Sequence, residues 1–279
     1  MDNNTVEILN ILGEVKESLD IEYKKSLFSS KEIYSELGAD GEITWGIDKT
    51  VEQIILKQLC GMTQSYSVLS EEIGYQKHQK LYMDDDIFFI IDPIDGTYNA
   101  LMGFPFFSVS ICVFINKTPT IGWVYDICRG VLFIGIEGEG AFQIFNEQWH
   151  KIKVSGVENL KQSTISMIRP QTDEQLENYR DIILSSRKIR WLSCSSLEIV
   201  YIAAGIFDAF VDFASDKSIK ICDVAASLLI LKEAGGVTLS YNSIMSEVDK
   251  ESLHKRYKII AASSDVLLNE IYRRLNKHE

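Results

Sequence analysis

The apolar positions of the chain fall into two kinds of pattern. Val6, Leu9, Ile11, Leu12, Val15 and Leu19 recur at helical spacing, which predicts an amphipathic packing helix over residues 6–28. A second helix is predicted from Ile47 to about Cys60, after the acidic, Gly-rich break Gly38-Ala39-Asp40-Gly41-Glu42. Tyr66–Leu69 reads as a short strand and Gln76–Lys80 as a polar loop. The run Ile87-Phe88-Phe89-Ile90-Ile91 has no polar member, the pattern of a fully buried strand. Residues 106–115, 120–126, 131–137, 141–145 and 151–154 are then rich in β-branched and aromatic side chains. Breaks at Asn116-Lys117, Cys128-Arg129-Gly130 and Gly138-Glu139-Gly140 separate the first four, which predicts an antiparallel meander.

Past Ser155 the pattern changes. Strands predicted at 164–168, 189–193, 207–213, 237–240 and 257–261 are interspersed with helices at 172–185, 196–204, 223–234 and 265–277. Alternation of this kind suggests an α/β layer. The expectation is therefore a mixed α+β and α/β chain. Its halves are residues 1–155, with strands dominating, and residues 156–279, with strands and helices alternating.

Composition narrows the function classes. The 279 residues are 46% hydrophobic, ample for a sizeable core, and carry a formal net charge of −12. That charge argues against nucleic acid as a partner, which requires a basic footprint. An anionic small molecule would need local positive charge, which metal ions can supply. The five cysteines (Cys60, Cys112, Cys128, Cys194 and Cys222) are scattered and form no C-x-x-C pair. Reduced thiols in a cytoplasmic protein are the expectation. The first residues are polar, and no apolar run reaches transmembrane length, so no membrane association is expected.

The chemistry concentrates in one stretch, Asp92-Pro93-Ile94-Asp95-Gly96-Thr97-Tyr98-Asn99. A buried strand delivers two carboxylates spaced i, i+3 around a proline, which has no N–H and forces a turn. Gly96 allows close backbone approach, and Thr97 suits a helix start. Carboxylates bind hard cations, and free N–H groups at a helix start bind phosphate. One loop thus offers both halves of a metal-assisted phosphate site. An isolated D-x-x-D is commonly only a turn, so the whole string carries the argument.

Taken together, these eight residues resemble the signature of the inositol monophosphatase family, within the larger group of Mg²⁺-dependent, lithium-sensitive phosphatases. Two further motifs follow the same family in the same order. Ser70-Glu71-Glu72-Ile73-Gly74 stands shortly before the central strand, and Cys222-Asp223-Val224-Ala225-Ala226-Ser227 precedes Glu233-Ala234-Gly235-Gly236. Cys222 replaces the tryptophan usual in the family without touching the carboxylate. Asp223 reads as a helix N-cap as well as a ligand.

The resemblance implies a five-layer αβαβα sandwich and a Mg²⁺-dependent phosphate monoester hydrolase. It implies two to three Mg²⁺ ions held by Glu71, Asp92, the Ile94 carbonyl, Asp95 and Asp223. Thr97 would relay a proton from a metal-activated water, with Asp48 holding its hydroxyl. The N–H groups of Gly96 and Thr97 would hold the phosphate. The segment around Asp40 would be a hairpin or mobile loop closing over the site. Asp95, Ser195 and Asp212 would contact substrate hydroxyls. The chain looks like the archaeal and bacterial branch, which often hydrolyses both inositol 1-phosphate and fructose 1,6-bisphosphate. A bisphosphate needs a second cationic subsite, for which Arg190, Lys217 and Lys220 are the candidates. Related nucleotide 3′-phosphatases carry Lys where this chain has Tyr98, which counts against that alternative. An NAD(P) phosphatase and a non-catalytic phosphate-binding relative remain as alternatives. Family members are commonly homodimers, and the same is expected here.

Overall fold

The computed structural model of this chain describes residues 2–24, 33–79, 86–213 and 219–276. Helix α1 (Asn3–Lys24) buries Ile11, Leu12, Val15 and Leu19 of the predicted stripe and adds Thr5 and Ile8, while Val6 is exposed and Leu9 only half-buried. The predicted end of that helix, toward Phe28, lies outside the described residues. A two-stranded hairpin, β1 (Ile33–Leu37) and β2 (Ile43–Trp45), leads into α2 (Gly46–Leu59).

The large sheet is built from β3 (Tyr66–Ser70), β4 (Gly74–His78), β5 (Ile87–Asp95), β6 (Ser108–Ile115), β7 (Thr118–Asp126), β8 (Val131–Ile136), β9 (Gly140–Phe145) and β10 (Gln148–Lys151). Its order is β10-β9-β8-β7-β6-β5-β3-β4, with β3 and β5 parallel and every other pair antiparallel. The short helix α3 (Thr97–Met102) joins β5 to β6.

The second half supplies β11 (Thr164–Met167), α4 (Asp173–Ser185), β12 (Lys188–Arg190), α5 (Ser195–Ala203), β13 (Ala209–Asp212) and α6 (Ile221–Glu233). It closes with β14 (Val237–Thr238), α7 (Tyr241–Ser246), β15 (Ile259–Ala262) and α8 (Asp265–Leu275). The smaller sheet runs β12-β11-β13-β15-β14 and is mixed. Three apolar cores hold the layers together. The first packs α1 and α2 on one face of the large sheet. The second packs α5 and α6 between the two sheets. The third packs α4 and α8 on the outer face of the small sheet. This is the αβαβα order expected. The middle core draws side chains from both sides of residue 155, so the two halves share it.

Helix α6 lies close against the large sheet for a steric reason. A Cβ on Gly122 would stand 2.4 Å from the Ala226 carbonyl oxygen, and one on Gly135 would stand 2.7 Å from the Ile230 Cα. Two glycines on adjacent strands therefore make the groove that admits the helix.

Several predicted elements need correction. Gln76–Lys80 was expected to be a loop, but Gly74–His78 is strand β4, paired with β3. It is a mostly exposed edge strand, so backbone pairing forms it without an apolar pattern to announce it. The strand expected at 151–154 lies at Gln148–Lys151. Asn146 and Glu147 have φ of 49° and 63°, a two-residue hairpin turn that begins the strand earlier. The strand expected at 189–193 ends at Arg190, before Ser193 at φ 57°. Helix α7 was not foreseen. Asp223 is not the N-cap of α6. Lys220 is, and Asp223 is the third residue in, its Oδ2 accepting the Lys220 N–H at 3.0 Å.

Candidate active site

The turn expected at Pro93 is a bulge within β5. Asp92 opposes Ser110 and Asp95 opposes Ser108, so three steps on β5 match two on β6. Side chains alternate faces along a regular strand, so i and i+3 would normally point apart. The extra residue brings Asp92 and Asp95 to one face and turns Ile94 into the core beneath α2. Pro93 is tolerated because a bulge relieves it of a ladder hydrogen bond. Glu71 follows the end of β3, whose Ser70 pairs with Ile91, so it arrives beside Asp92. Asp223 comes from the first turn of α6, on the opposite side of the cleft.

Glu71, Asp92 and Asp223 each offer an oxygen lying within 4.8 Å of the other two, the one such cluster found among the described residues. Among those residues, Asp92 Oδ1 and Glu71 Oε1 are buried without a hydrogen-bond partner. Burial and then mutual repulsion hold Asp92 well above the usual carboxylate range, with Glu71 its foremost neighbour. Burial and Asp223 do the same to Glu71, opposed by Lys220. Buried acceptors with no donors, arranged to repel one another, fit a bound cation. An all-oxygen set suits Mg²⁺ rather than zinc.

Asp95 is placed differently. Its Oδ2 accepts from the Ser196 amide and hydroxyl, both at 2.6 Å, and from the Cys194 thiol at 3.3 Å. Burial and Asp223 push it up to about 6, and the Ser196 bonds oppose that shift. One oxygen of Asp95 is thus held by the start of α5.

The Thr97 hydroxyl lies 3.0 Å from Asp48 Oδ1 and 2.8 Å from the Ile94 carbonyl oxygen. The predicted Asp48–Thr97 pair therefore exists. Burial, with Glu72 behind it, pushes Asp48 up to about 7. Asp48 Oδ2 is buried without a hydrogen bond among the described residues. Gly96 caps α3 at φ 88°, in the left-handed region that glycine adopts freely. Asn99 Nδ2 donates to the Phe106 and Leu192 carbonyls at 2.8 and 2.7 Å, tying α3 to the loop before α5.

Of the residues expected to contact substrate, Ser195 is buried at the start of α5. Asp212 is buried at the end of β13, and neither of its oxygens has a formed hydrogen bond among the described residues. Burial pushes it up to about 7, the Ile219 amide opposes this, and Asp223 adds to it. Arg190 is exposed and donates to the Ile189 carbonyl of its own strand. Lys217 lies outside the described residues. Lys220 departs from its expected role as a free cation for a second phosphate. Its ammonium donates to Asp40 and lies 3.5 Å from Glu42 and 3.6 Å from Glu71. Three acidic groups already occupy it.

Sequence reasoning missed Ser196 as the anchor of Asp95, Asn99 as a tether, and Lys220 as a partner of Glu71. The one available signal was a lysine three residues ahead of Asp223, a carboxylate of the motif. The rest depended on long-range packing.

Comparison with known proteins identifies the family and matches the fold. The family model described as the inositol monophosphatase family matches residues 7–279. A fructose-1,6-bisphosphatase/inositol-1-monophosphatase of Methanothermobacter thermautotrophicus is 31% identical, over 84% of this chain and 83% of that protein. A bifunctional NADP phosphatase/NAD kinase of Methanococcus maripaludis is 29% identical over 89% of this chain. This chain spans 47% of that longer protein. A solved inositol monophosphatase–fructose 1,6-bisphosphatase superposes with a TM-score of 0.74 at 27% identity, covering 99% of this chain and 100% of that one.

Proposed function

The chain belongs to the inositol monophosphatase family and is a phosphomonoesterase, and on that premise we propose that it is a Mg²⁺-dependent hydrolase of inositol 1-phosphate and fructose 1,6-bisphosphate. The observation that carries this reading is the trio Glu71, Asp92 and Asp223, with oxygens within 4.8 Å and no donors to two of them. Those three, with Asp95 and the Ile94 carbonyl, would hold two to three Mg²⁺ ions. Bound Mg²⁺ supplies Lewis-acid charge that activates a water and stabilises the leaving oxygen.

The chain's own groups do the rest. Thr97 Oγ1 takes a proton from the attacking water as its own proton passes to Asp48 Oδ1, 3.0 Å away. A base near pKa 7 is suited to that transfer at neutral pH. The backbone N–H groups of Gly96 and Thr97 would orient the phosphate oxygens. Asp212 and Ser195 would accept and donate hydrogen bonds to hydroxyls of the sugar or cyclitol. With Lys220 committed to acids, the second phosphate of a bisphosphate would rely on Arg190 and Lys217.

The Methanococcus maripaludis relative favours a second reading, an NADP phosphatase on the same metal centre. Phosphate release from inositol 1-phosphate, fructose 1,6-bisphosphate, NADP and adenosine 3′,5′-bisphosphate, with and without Mg²⁺, tests both. Mg²⁺-dependent release from the first two is expected. Release from NADP alone would replace the substrate assignment and keep the metal centre. Equal rates with Mg²⁺ and with a chelator would overturn the metal reading.

A further inference from the structure

The hairpin tip between β1 and β2 rests directly on the turn that carries Glu71. The Ala39 and Asp40 amides donate to the Glu72 and Glu71 carbonyls at 3.0 and 3.2 Å. The Thr44 hydroxyl donates to the Glu72 carboxylate. Gly38 sits so close that a Cβ there would lie 3.0 Å from Glu72 Oε2 and 3.2 Å from the Glu71 carbonyl oxygen. Over this contact stands Lys220, the N-cap of α6, one turn before the ligand Asp223.

The Lys220 ammonium is largely buried and bridges three pieces of chain. It donates to Asp40 on the hairpin tip, approaches Glu42 at 3.5 Å, and reaches Glu71 at 3.6 Å. The approach to Glu71 is too long for a hydrogen bond, so Oε1 remains available to a cation in the cleft. At that distance the charges still attract strongly in a buried setting. A further divalent ion between Glu71 and the hairpin tip would need the space that the ammonium fills and the Asp40 oxygen that it already engages.

We propose that Lys220 is a resident cation of this metal centre, which clamps the hairpin tip onto Glu71 in place of a further divalent ion. The inference rests on the metal-dependent reading above. It gives Lys220 a positioning role: the ammonium offsets part of the carboxylate charge when no metal is bound and fixes the orientation of Glu71. The same helix turn then carries both a metal ligand, Asp223, and the counter-charge for its neighbour. Metal occupancy and hairpin position are coupled through Glu71, because both draw on the same carboxylate.

The test counts Mn²⁺ ions bound per chain, by equilibrium dialysis read by electron paramagnetic resonance, in the whole protein and in Lys220→Gln and Lys220→Arg. Lys220→Gln is expected to bind one more Mn²⁺ than the wild type, and Lys220→Arg to match the wild type. Hydrogen exchange of the Ala39 and Asp40 amides, in chelator, is expected to quicken about tenfold or more in Lys220→Gln, the scale of one lost charged hydrogen bond. An unchanged Mn²⁺ count in a folded Lys220→Gln overturns the proposal. Should that variant not fold, Asp40→Ala breaks the other end of the clamp, and unchanged exchange at Ala39 overturns it instead. Absence of Mn²⁺ binding by every form would overturn the metal centre itself, and the role of Lys220 with it.

Discussion

Two sets of buried carboxylates lie near the helical layer between the sheets, and the protein treats them in opposite ways. Glu198 on α5 is fully enclosed, yet donors surround it. Its Oε1 accepts from the Ser166 hydroxyl and the Leu192 amide, and its Oε2 accepts from the Cys194 amide. Glu71 and Asp92 each keep a buried oxygen with no donor among the described residues and repel one another, while their neighbour Asp223 accepts the Lys220 amide and feels the charges of Lys220 and Arg256. Burial raises the carboxyl pKa in both sets, so a raised pKa does not distinguish them. The supply of donors does. A buried acid with donors holds a loop in place, whereas buried carboxylate oxygens without donors fit a bound cation.

The largest expected effect is at the donor-poor set. Asp92→Asn should lower Mg²⁺-dependent turnover by about a hundredfold or more, the loss typical when one charge partner of a reacting centre is removed. The same variant, melted in chelator, should be at least as stable as the wild type, because a repelling charge has gone. It should also lack the rise in melting temperature expected of the wild type on adding Mg²⁺. A wild-type turnover rate in Asp92→Asn would erase the distinction between the two sets.

Next comes the donor-rich set. Glu198→Ala leaves two amides and a hydroxyl unpaired and should cost about 2–3 kcal/mol of stability by denaturant unfolding, with or without Mg²⁺. A loss seen only in the presence of Mg²⁺ would move Glu198 into the metal set.

Titration sharpens the contrast further. Burial pushes Glu198 up to about 8 from 4.5, opposed first by the Ser166 bond. Between those values the native state holds a proton that the unfolded state has released. Stability from this group is therefore fully present below about pH 4.5 and declines as pH rises to about 8. Glu198→Gln keeps a neutral group of the same shape and should flatten that decline in denaturant midpoints measured across the window. An unchanged slope would mean that other groups set it.

The smallest effect is expected between the sets, at Asp95. Ser196→Ala removes one of the two Ser196 bonds to Asp95 Oδ2 and keeps the amide bond at 2.6 Å. Turnover should fall by only about fivefold, the scale of one hydrogen bond. A loss as large as that of Asp92→Asn would place the hydroxyl in the chemistry itself.

Much of this was legible beforehand because it is local. Helical spacing marked the buried stripe of α1, and an unbroken apolar run marked β5. The residues of the central motif stand in the sequence order that builds the site, and Asp48 meets Thr97 as the motif implies. Errors clustered where backbone pairing rather than side-chain burial forms an element, as in β4 and β10.

By itself, the sequence determined most of the helices and strands, the carboxylates of the motifs and, through the family those motifs resemble, the type of chemistry. Each of these is written in short-range spacing and in residue type. The tertiary structure alone decided who neutralises whom. Ser196 reaches Asp95 across 101 residues, and Lys220 reaches Asp40 across 180. The bulge that swings Asp92 and Asp95 onto one face is defined only against its partner strand. The energy of a buried charge depends on the groups that surround it in space, and residue spacing along the chain does not specify those groups.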